Sequence, residues 1–187
     1  MKQFKIILFA IPFFMLSCTT SKYLKNYEPV RVFLRQENID PSKNYILQEE
    51  KVDYKKVLSE FKEYKSASPY FDVDFKPIVL QNDIAYKKAY DKYINNTLKR
   101  YWKKEDFSEF NFVLKKQQAI KNDSINEYSR SQLWIYISEP MYYYNREYLI
   151  FTYDIYGRDG GMAKLVFMKK EKGKWTIDRI SSSDVFF

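Results

Sequence analysis

The sequence predicts an α+β domain in which two N-terminal helices pack on a curved antiparallel sheet meander of four to six strands. Two observations favour this fold class. In the first half of the chain, apolar residues recur at the three-and-four spacing of a helical face, whereas the second half holds short apolar stretches between glycine-containing turns. Helices followed by a run of strands are typical of an α+β architecture, with the helices on one face of the sheet.

The N-terminus has the layout of a secretory signal. Lys2 and Lys5 precede an uncharged apolar run at 6–16, which is shorter than the roughly 20 residues that a spanning helix needs. The residues Met15-Leu16-Ser17-Cys18 resemble the lipobox of bacterial lipoprotein precursors, in which a small residue precedes a cysteine that receives diacylglycerol. The resemblance implies cleavage before Cys18 and a lipid anchor, palmitate included, on that cysteine. The alternative is an ordinary secretory signal that ends in a chance cysteine.

This resemblance divides the chain into three parts. Residues 1–17 are the predicted signal peptide, 18–47 the lipidated cysteine with a tether and an extended segment, and 48–187 a single α+β globular domain. Within the second part, residues 30–34 are expected to add a strand or to cover a sheet edge. In the sorting rule for lipoproteins, aspartate directly after the lipidated cysteine retains the protein at the inner membrane, whereas this chain has Thr19 there. We therefore expect a location in the cell envelope, anchored to the outer membrane and facing the periplasm.

The two predicted helices carry apolar stripes. The first runs from Asp53, which can cap it, to Lys65, and the second from about Asp83 to Lys103 with a stripe of tyrosines. Aromatic residues at helical spacing favour core packing, and a ligand-stacking surface is the alternative. Between the helices, residues 71–75 alternate apolar and polar side chains and predict an extended piece near a sheet edge.

The second half predicts strands joined by at least two hairpins. Glycine-containing turns at 156–161 and 171–174 supply the backbone freedom that tight hairpins require. The central strand is apolar on both faces, so we expect helices on one face and aromatic side chains on the other. The predicted strands lie near residues 110–114, 133–137, 148–156, 162–169 and 175–180.

The last of these strands begins with a recognisable turn. From Ser138 to Lys172-Gly173-Lys174-Trp175, the chain resembles the ending of many bacterial envelope lipoproteins of unknown function. The shared feature is a meander that closes on a lysine-glycine-tryptophan hairpin, which also occurs in nuclear-transport-factor-like cone folds. The resemblance implies that Trp175 is largely buried, and it implies no activity for any residue.

Composition excludes several kinds of chemistry. The chain has no histidine, one cysteine and four glycines, so histidine triads, thiol nucleophiles, disulfides, and zinc sites with Cys or His ligands are not expected once Cys18 carries lipid. Phosphate-cradling glycine loops and dinucleotide fingerprints cannot be assembled either. Asp154 and Asp159 provide too few oxygen ligands for a calcium loop. We therefore predict no cofactor and no metal.

The charge is positive. Removing the two signal lysines from 32 basic residues leaves 30 against 24 acidic residues, a formal charge of +6. This excess suits anionic lipid headgroups or phosphorylated glycolipids, and a solvated surface with surplus lysine is the alternative. The envelope location argues against nucleic acid as a partner.

Carboxylates are the remaining candidates for chemistry. Glu139 stands beside Pro140 at the end of an apolar strand, and Asp154 interrupts another, where burial shifts a pKa and makes a carboxyl group useful. Across one cleft, the two carboxylates have the chemistry to hydrolyse a glycosidic bond as acid and base. Alternatively, Asp154 lies on a solvated face or pairs with Lys164 across the ladder.

Three functions therefore compete. The preferred hypothesis is a noncatalytic envelope module, not an enzyme, which is held by its lipid and binds an envelope protein or glycolipid through tyrosine-rich surface. A second is a small-ligand carrier with an aromatic-lined cavity. The third is a hydrolase of an envelope polymer that uses Glu139 and Asp154.

Overall fold

A computed structural model describes residues 24, 26–40, 43–53, 57, 101–120, 132–142, 146–157 and 160–185. Helix α1 spans Glu28–Gln36, and a 3₁₀ turn spans Lys104–Phe107. The described residues also form seven strands: β1 (Asn44–Gln48), β2 (Phe112–Lys115), β3 (Gln132–Ile137), β4 (Met141–Tyr142), β5 (Tyr148–Gly157), β6 (Gly160–Glu171) and β7 (Lys174–Val185).

The strands form one mixed sheet in the order β2-β1-β3-β5-β6-β7, and β4 pairs with β5. Strand β1 runs parallel to both β2 and β3, whereas β3, β5, β6 and β7 form an antiparallel series. The predicted fold class is therefore wrong. In place of two helices on an antiparallel meander, the described part of the chain is mostly β, and α1 is its one helix of seven or more residues. Parallel pairing between distant strands leaves no signal in local periodicity.

Helix α1 forms where the sequence predicted a tether and an extended segment. Pro29 lies in its first turn, where a missing N–H costs nothing, and Val30, Phe33 and Leu34 are fully buried at the spacing of one helical face. Glu28 and Arg35 occupy the ends that the helix dipole favours for their charges. The expectation that residues 30–34 add a strand is wrong, because their apolar side chains follow the spacing of one helical face.

The two predicted helices lie mostly outside the described residues, as does the extended piece predicted at 71–75. Val57, inside the first predicted helix, is helical and fully buried. The second helix does not reach Lys103, because Tyr101 instead pairs in an isolated antiparallel bridge with Glu50.

The predicted strands of the second half are confirmed as β2, β3, β5, β6 and β7, while β1 and β4 were not predicted. Both hairpins are confirmed as well. Gly157 faces Gly160 across the β5–β6 hairpin. Lys172 and Gly173 join β6 to β7 with φ values of 48° and 82°, the two positive angles of a type I′ turn.

The sheet is buried on both faces. On the face covered by α1, which we call the α1 face, the Phe33 ring meets the rings of Phe151 and Tyr153 edge-on, at centroid distances of 5.5 and 5.0 Å. Because side chains alternate along a strand, neighbouring residues point to the opposite side, the second face, where Ile46 and Trp134 are buried. Burial on both sides agrees with the apolar pattern of β5.

Ion pairs also connect helix α1 to neighbouring parts of the domain. At its C-terminal end, Glu37 accepts a hydrogen bond of 2.5 Å from Lys164 of β6, with both side chains mostly buried. Arg35 forms two hydrogen bonds of 3.0 Å with the carboxylate of Glu109. The exposed Arg35 pair adds little to stability, whereas the position of α1 depends mainly on Phe33 and its apolar neighbours.

Replacing Phe33 by alanine should lower the free energy of unfolding by about 3 to 5 kcal/mol, because it empties a fully buried site between two rings. Trp175 is the comparison residue for this loss of stability. It is only partly buried at the margin of the same core, and the Lys170 ammonium lies 5.8 Å from its ring. The expectation that Trp175 is largely buried is therefore met only in part. Denaturant unfolding of the purified variants should show a smaller loss for Trp175→Ala. An equal or larger loss would contradict this packing.

Candidate functional site

Two groups of buried polar residues lie on the two faces of the sheet. The first forms where β1 and β3 end at the same edge, as parallel strands do. Lys51 follows β1 and Glu139 follows β3, and the Lys51 ammonium donates hydrogen bonds to the Glu139 carboxylate and, over 2.5 Å, to the Tyr27 hydroxyl. Only 2% of the Lys51 side chain and 6% of the Glu139 side chain are exposed.

Aromatic rings enclose this ion pair. The Lys51 Nζ lies 4.1 Å from the centroid of the Tyr27 ring and 3.8 Å from that of Trp102, within the range of cation–π attraction. The two rings contact each other edge-on at 4.8 Å, and the Trp102 indole donates to the backbone carbonyl of Ile137 over 3.2 Å. The ammonium is therefore held by one carboxylate, one hydroxyl and two ring faces.

This arrangement gives Glu139 a structural role. A general acid or base must reach the proton that it transfers, whereas the Glu139 carboxylate is bound to Lys51 and shielded from solvent. The ion pair joins the loop after β1, the loop after β3 and Tyr27 at the start of α1. The sequence predicts Glu139 as a candidate but not Lys51, because the two residues are 88 positions apart and no local pattern connects them.

Asp154, the second nominated carboxylate, lies on the other side of the sheet. Its neighbour Tyr153 contacts Phe33 on the α1 face, so the Asp154 side chain points to the second face, where it is 5% exposed. Glu139 and Asp154 therefore do not share a cleft. The alternative pairing of Asp154 with Lys164 is wrong too, because Lys164 is opposite Tyr153 and binds Glu37.

On the second face, the strand register places four polar side chains in one line. Lys115 of β2 is opposite Gln48 of β1, and Tyr136 of β3 is opposite Asp154 of β5. The β1–β3 register, continued by one residue, puts Gln48 beside Tyr136. We call Lys115, Gln48, Tyr136 and Asp154 the polar row. Gln48 and Asp154 are buried, while Lys115 and Tyr136 keep part of their exposure.

Aromatic residues flank the polar row. Trp134 and Tyr156 are opposite each other one step along β3 and β5, and the Tyr156 ring packs edge-on against Tyr136 at 5.6 Å. Tyr156 lies over Gly161 of β6, where a Cβ would collide with its ring. At the far end, the Lys115 ammonium lies 5.8 Å from the Trp134 ring.

Two nearly fully buried residues on this face each have a side-chain atom without a hydrogen-bond partner in the described structure. These atoms are the indole Nε1 of Trp134 and the hydroxyl Oγ1 of Thr152, whose residues are 3% and 1% exposed. A buried donor that is left unsatisfied costs about 1 to 3 kcal/mol, and such atoms in native proteins are often explained by a bound water or ligand. Trp134 and Thr152 therefore each keep a polar atom that could pair with a water or a ligand, whereas the Lys51 and Glu139 side chains bind each other.

Other parts of the described chain have fewer features of a functional site. Beside β2, a shallow depression is lined by Phe107, Phe110 and Phe112 and bordered by Lys103 and Lys104. Among the described residues, no cluster of three or more potential ligands is placed to hold a metal ion. No helix in this part of the chain is long and apolar enough to cross a membrane.

Cys18 and the predicted signal peptide lie outside the described residues, so lipid attachment stays a prediction. Searches for relatives give no further assignment: no protein-family model matches the chain, and no curated protein or solved structure matches it.

The Lys51–Glu139 pair can be tested by a double-mutant cycle. Glu139→Leu alone should lower the free energy of unfolding by about 3 to 5 kcal/mol, because it leaves the Lys51 charge buried without its counter-ion. The double variant Lys51→Met with Glu139→Leu should recover most of this loss. Denaturant unfolding of the single and double variants measures both values, and simple additivity of the two single losses would contradict the coupling.

Proposed function

We propose that this protein is a lipid-anchored envelope protein whose domain binds a partner and performs no catalysis. The observation that carries the binding role is the buried indole N–H of Trp134 and the buried hydroxyl of Thr152, which have no hydrogen-bond partner in the described structure. Buried polar groups of this kind are unfavourable for folding alone, and they become favourable when a partner pairs with them. The anchor is supported by the sequence, from the apolar run to Cys18.

The chemistry of the second face favours recognition. A two-carboxylate glycosidase needs its acidic groups about 5 to 9.5 Å apart around one bond. Of the two nominated carboxylates, the row contains only Asp154, while Glu139 is paired with Lys51 on the α1 face. The remaining groups of the row are an amide, a phenol and an ammonium, so the row holds no second carboxylate for acid–base work.

The location follows from the anchor. A lipid on Cys18 would hold the domain at the outer membrane, because Thr19 after the cysteine resembles the sequence of lipoproteins sent there. The domain would face the periplasm. The excess of basic residues would draw the domain toward the anionic surfaces of the envelope. In this setting the partner is an envelope protein or a glycolipid.

The anchor is tested by replacing Cys18 with alanine. Cells fed a fatty-acid analogue should label the wild-type protein, and the variant should carry no label and lose most of its membrane affinity, which the acyl chains supply. Ser17→Ala is the matched control, because a small residue still precedes the cysteine and labelling should persist. Cleavage of the wild-type chain without any label would show that the protein is simply secreted.

The binding role is tested by capture from the native envelope. Detergent-solubilised wild-type protein should retain one or more specific envelope components, and Tyr136→Ala should reduce their recovery at least tenfold without unfolding the domain. Ile180→Ala, on an exposed part of β7, is the control and should capture normally. In parallel, the wild-type protein should release no products from purified envelope glycans. Release that Asp154→Asn abolishes in a folded variant would overturn the noncatalytic proposal.

A further inference from the structure

We infer that the outer edge of β2 binds an extended, acidic peptide segment of a partner protein, which adds to the sheet as a further strand. This surface is separate from Trp134 and Thr152, so the inference goes beyond the proposed function. Three features meet at this edge: backbone groups that point away from the sheet, an apolar depression beside them, and exposed lysines at its border.

Strand β2 is an edge strand, because β1 is its one partner in the described sheet. The Lys115 carbonyl accepts a hydrogen bond of 2.8 Å from the Glu49 N–H. Alternate residues of an edge strand bond to the same neighbour, so Lys115 and Val113 pair with β1. Phe112 and Leu114 therefore direct their N–H and C=O groups outward, and no other described segment forms a backbone hydrogen bond with them. An added strand would pair with these groups.

The side chains along this edge suit the apolar residues of such a strand. Val113, on the second face, is 50% exposed. On the α1 face, the depression beside β2 is lined by phenylalanine rings and by Leu114, and the partly exposed Phe110 ring stacks on Phe112 at a centroid distance of 5.4 Å. Because side chains alternate along a strand, an added peptide would place every second residue over this depression and the others beside Val113.

The charges at the depression select an acidic peptide. Its two charged border residues, Lys103 and Lys104, are exposed, and neither forms an ion pair in the described part of the chain. Two nearby acids are engaged, since the Asp106 carboxylate accepts from the Lys103 backbone N–H and Glu109 binds an arginine of α1. Glu105 remains, and two lysines outweigh it. Carboxylates of the peptide would be attracted by both ammonium groups.

A membrane with anionic headgroups is the alternative that shares this charge argument. It would be attracted by the same two lysines, and partly exposed phenylalanine rings suit its interface. A lipid surface has no strand to pair with the outward groups of Phe112 and Leu114, however. The edge position of β2 therefore favours the peptide.

The test titrates the detergent-purified protein with a synthetic heptapeptide that alternates aspartate with phenylalanine or valine and has blocked ends. We expect saturable binding that weakens at least tenfold when lysine replaces aspartate in the peptide. N-methylation of one alternate set of peptide residues should weaken binding as strongly, because an added strand pairs through a single set. N-methylation of the other set should be tolerated.

Protein variants locate the site. Lys103→Glu with Lys104→Glu should weaken peptide binding at least tenfold. The matched charge reversal, Lys172→Glu with Lys174→Glu in exposed positions at the β6–β7 hairpin, should bind within twofold of the wild-type protein. Leu114→Pro removes an outward N–H without breaking a bond to β1, so it should bind more weakly than Leu114→Ala, which keeps that N–H. Unfolding curves check that each variant is folded.

Failure of the peptide to bind, or binding that tolerates N-methylation of either set, would overturn strand addition, whether or not Leu114→Pro folds. Binding that survives the reversal of Lys103 and Lys104 would move the site away from β2. Vesicles of phosphatidylglycerol that bind through these lysines, with no binding of the peptide, would assign the surface to the membrane and overturn the inference. The proposed function has a separate readout, since it fails when Tyr136→Ala leaves envelope capture unchanged.

Discussion

The buried ion pair between Lys51 and Glu139 stands where β1 and β3 leave the sheet and where α1 begins. Three segments that are distant in sequence meet there. The buried Lys51 ammonium is strongly unfavourable without the Glu139 carboxylate and the aromatic rings, so it favours close packing of these segments. The ends of parallel strands are not joined by a tight hairpin that would hold the following loops in place. The ion pair stabilises one arrangement of the loops after β1 and β3.

On the second face, two buried side-chain atoms lack a hydrogen-bond partner in the described structure, and this contrast distinguishes the two polar groups. Around Lys51, donors and acceptors belong to the protein and satisfy one another. Around Asp154, the register aligns polar groups across four strands, yet Trp134 and Thr152 keep unpaired atoms in the described structure. Glu139 and Asp154 were both candidates in the sequence, since Glu139 ends one apolar strand and Asp154 interrupts another. Glu139 is a structural group because it binds Lys51, whereas Asp154 lies on the opposite face of the sheet.

The sequence predicts the antiparallel half of the fold well, because alternation and turn residues act over short distances. The hairpin at Lys172 and Gly173 is an example, as is the two-faced burial of β5. The predicted extended segment is wrong for α1, because Val30, Phe33 and Leu34 fit one helical face. The sequence also misses the parallel pairing of β1, which depends on contacts with strands far along the chain.

The same limit applies to the candidate site. Asp154 was found because a carboxylate inside an apolar strand is conspicuous, but its position beside Tyr136 depends on the register between β3 and β5. Gln48 and Lys115 join the row only through β1, a strand that local patterns did not reveal.

A sheet with one apolar face can present its other face to water, where polar residues need no special partner. Here both faces are buried, so each polar side chain on the second face must find a partner or reduce the stability of the domain. Two unsatisfied groups, at about 1 to 3 kcal/mol each, are a large share of a typical net stability of about 5 to 15 kcal/mol. Folding alone would favour apolar residues at Trp134 and Thr152 that carry no hydrogen-bonding atoms. A ligand that pairs with them would turn this loss into affinity, which is the physical reason to place recognition on the second face.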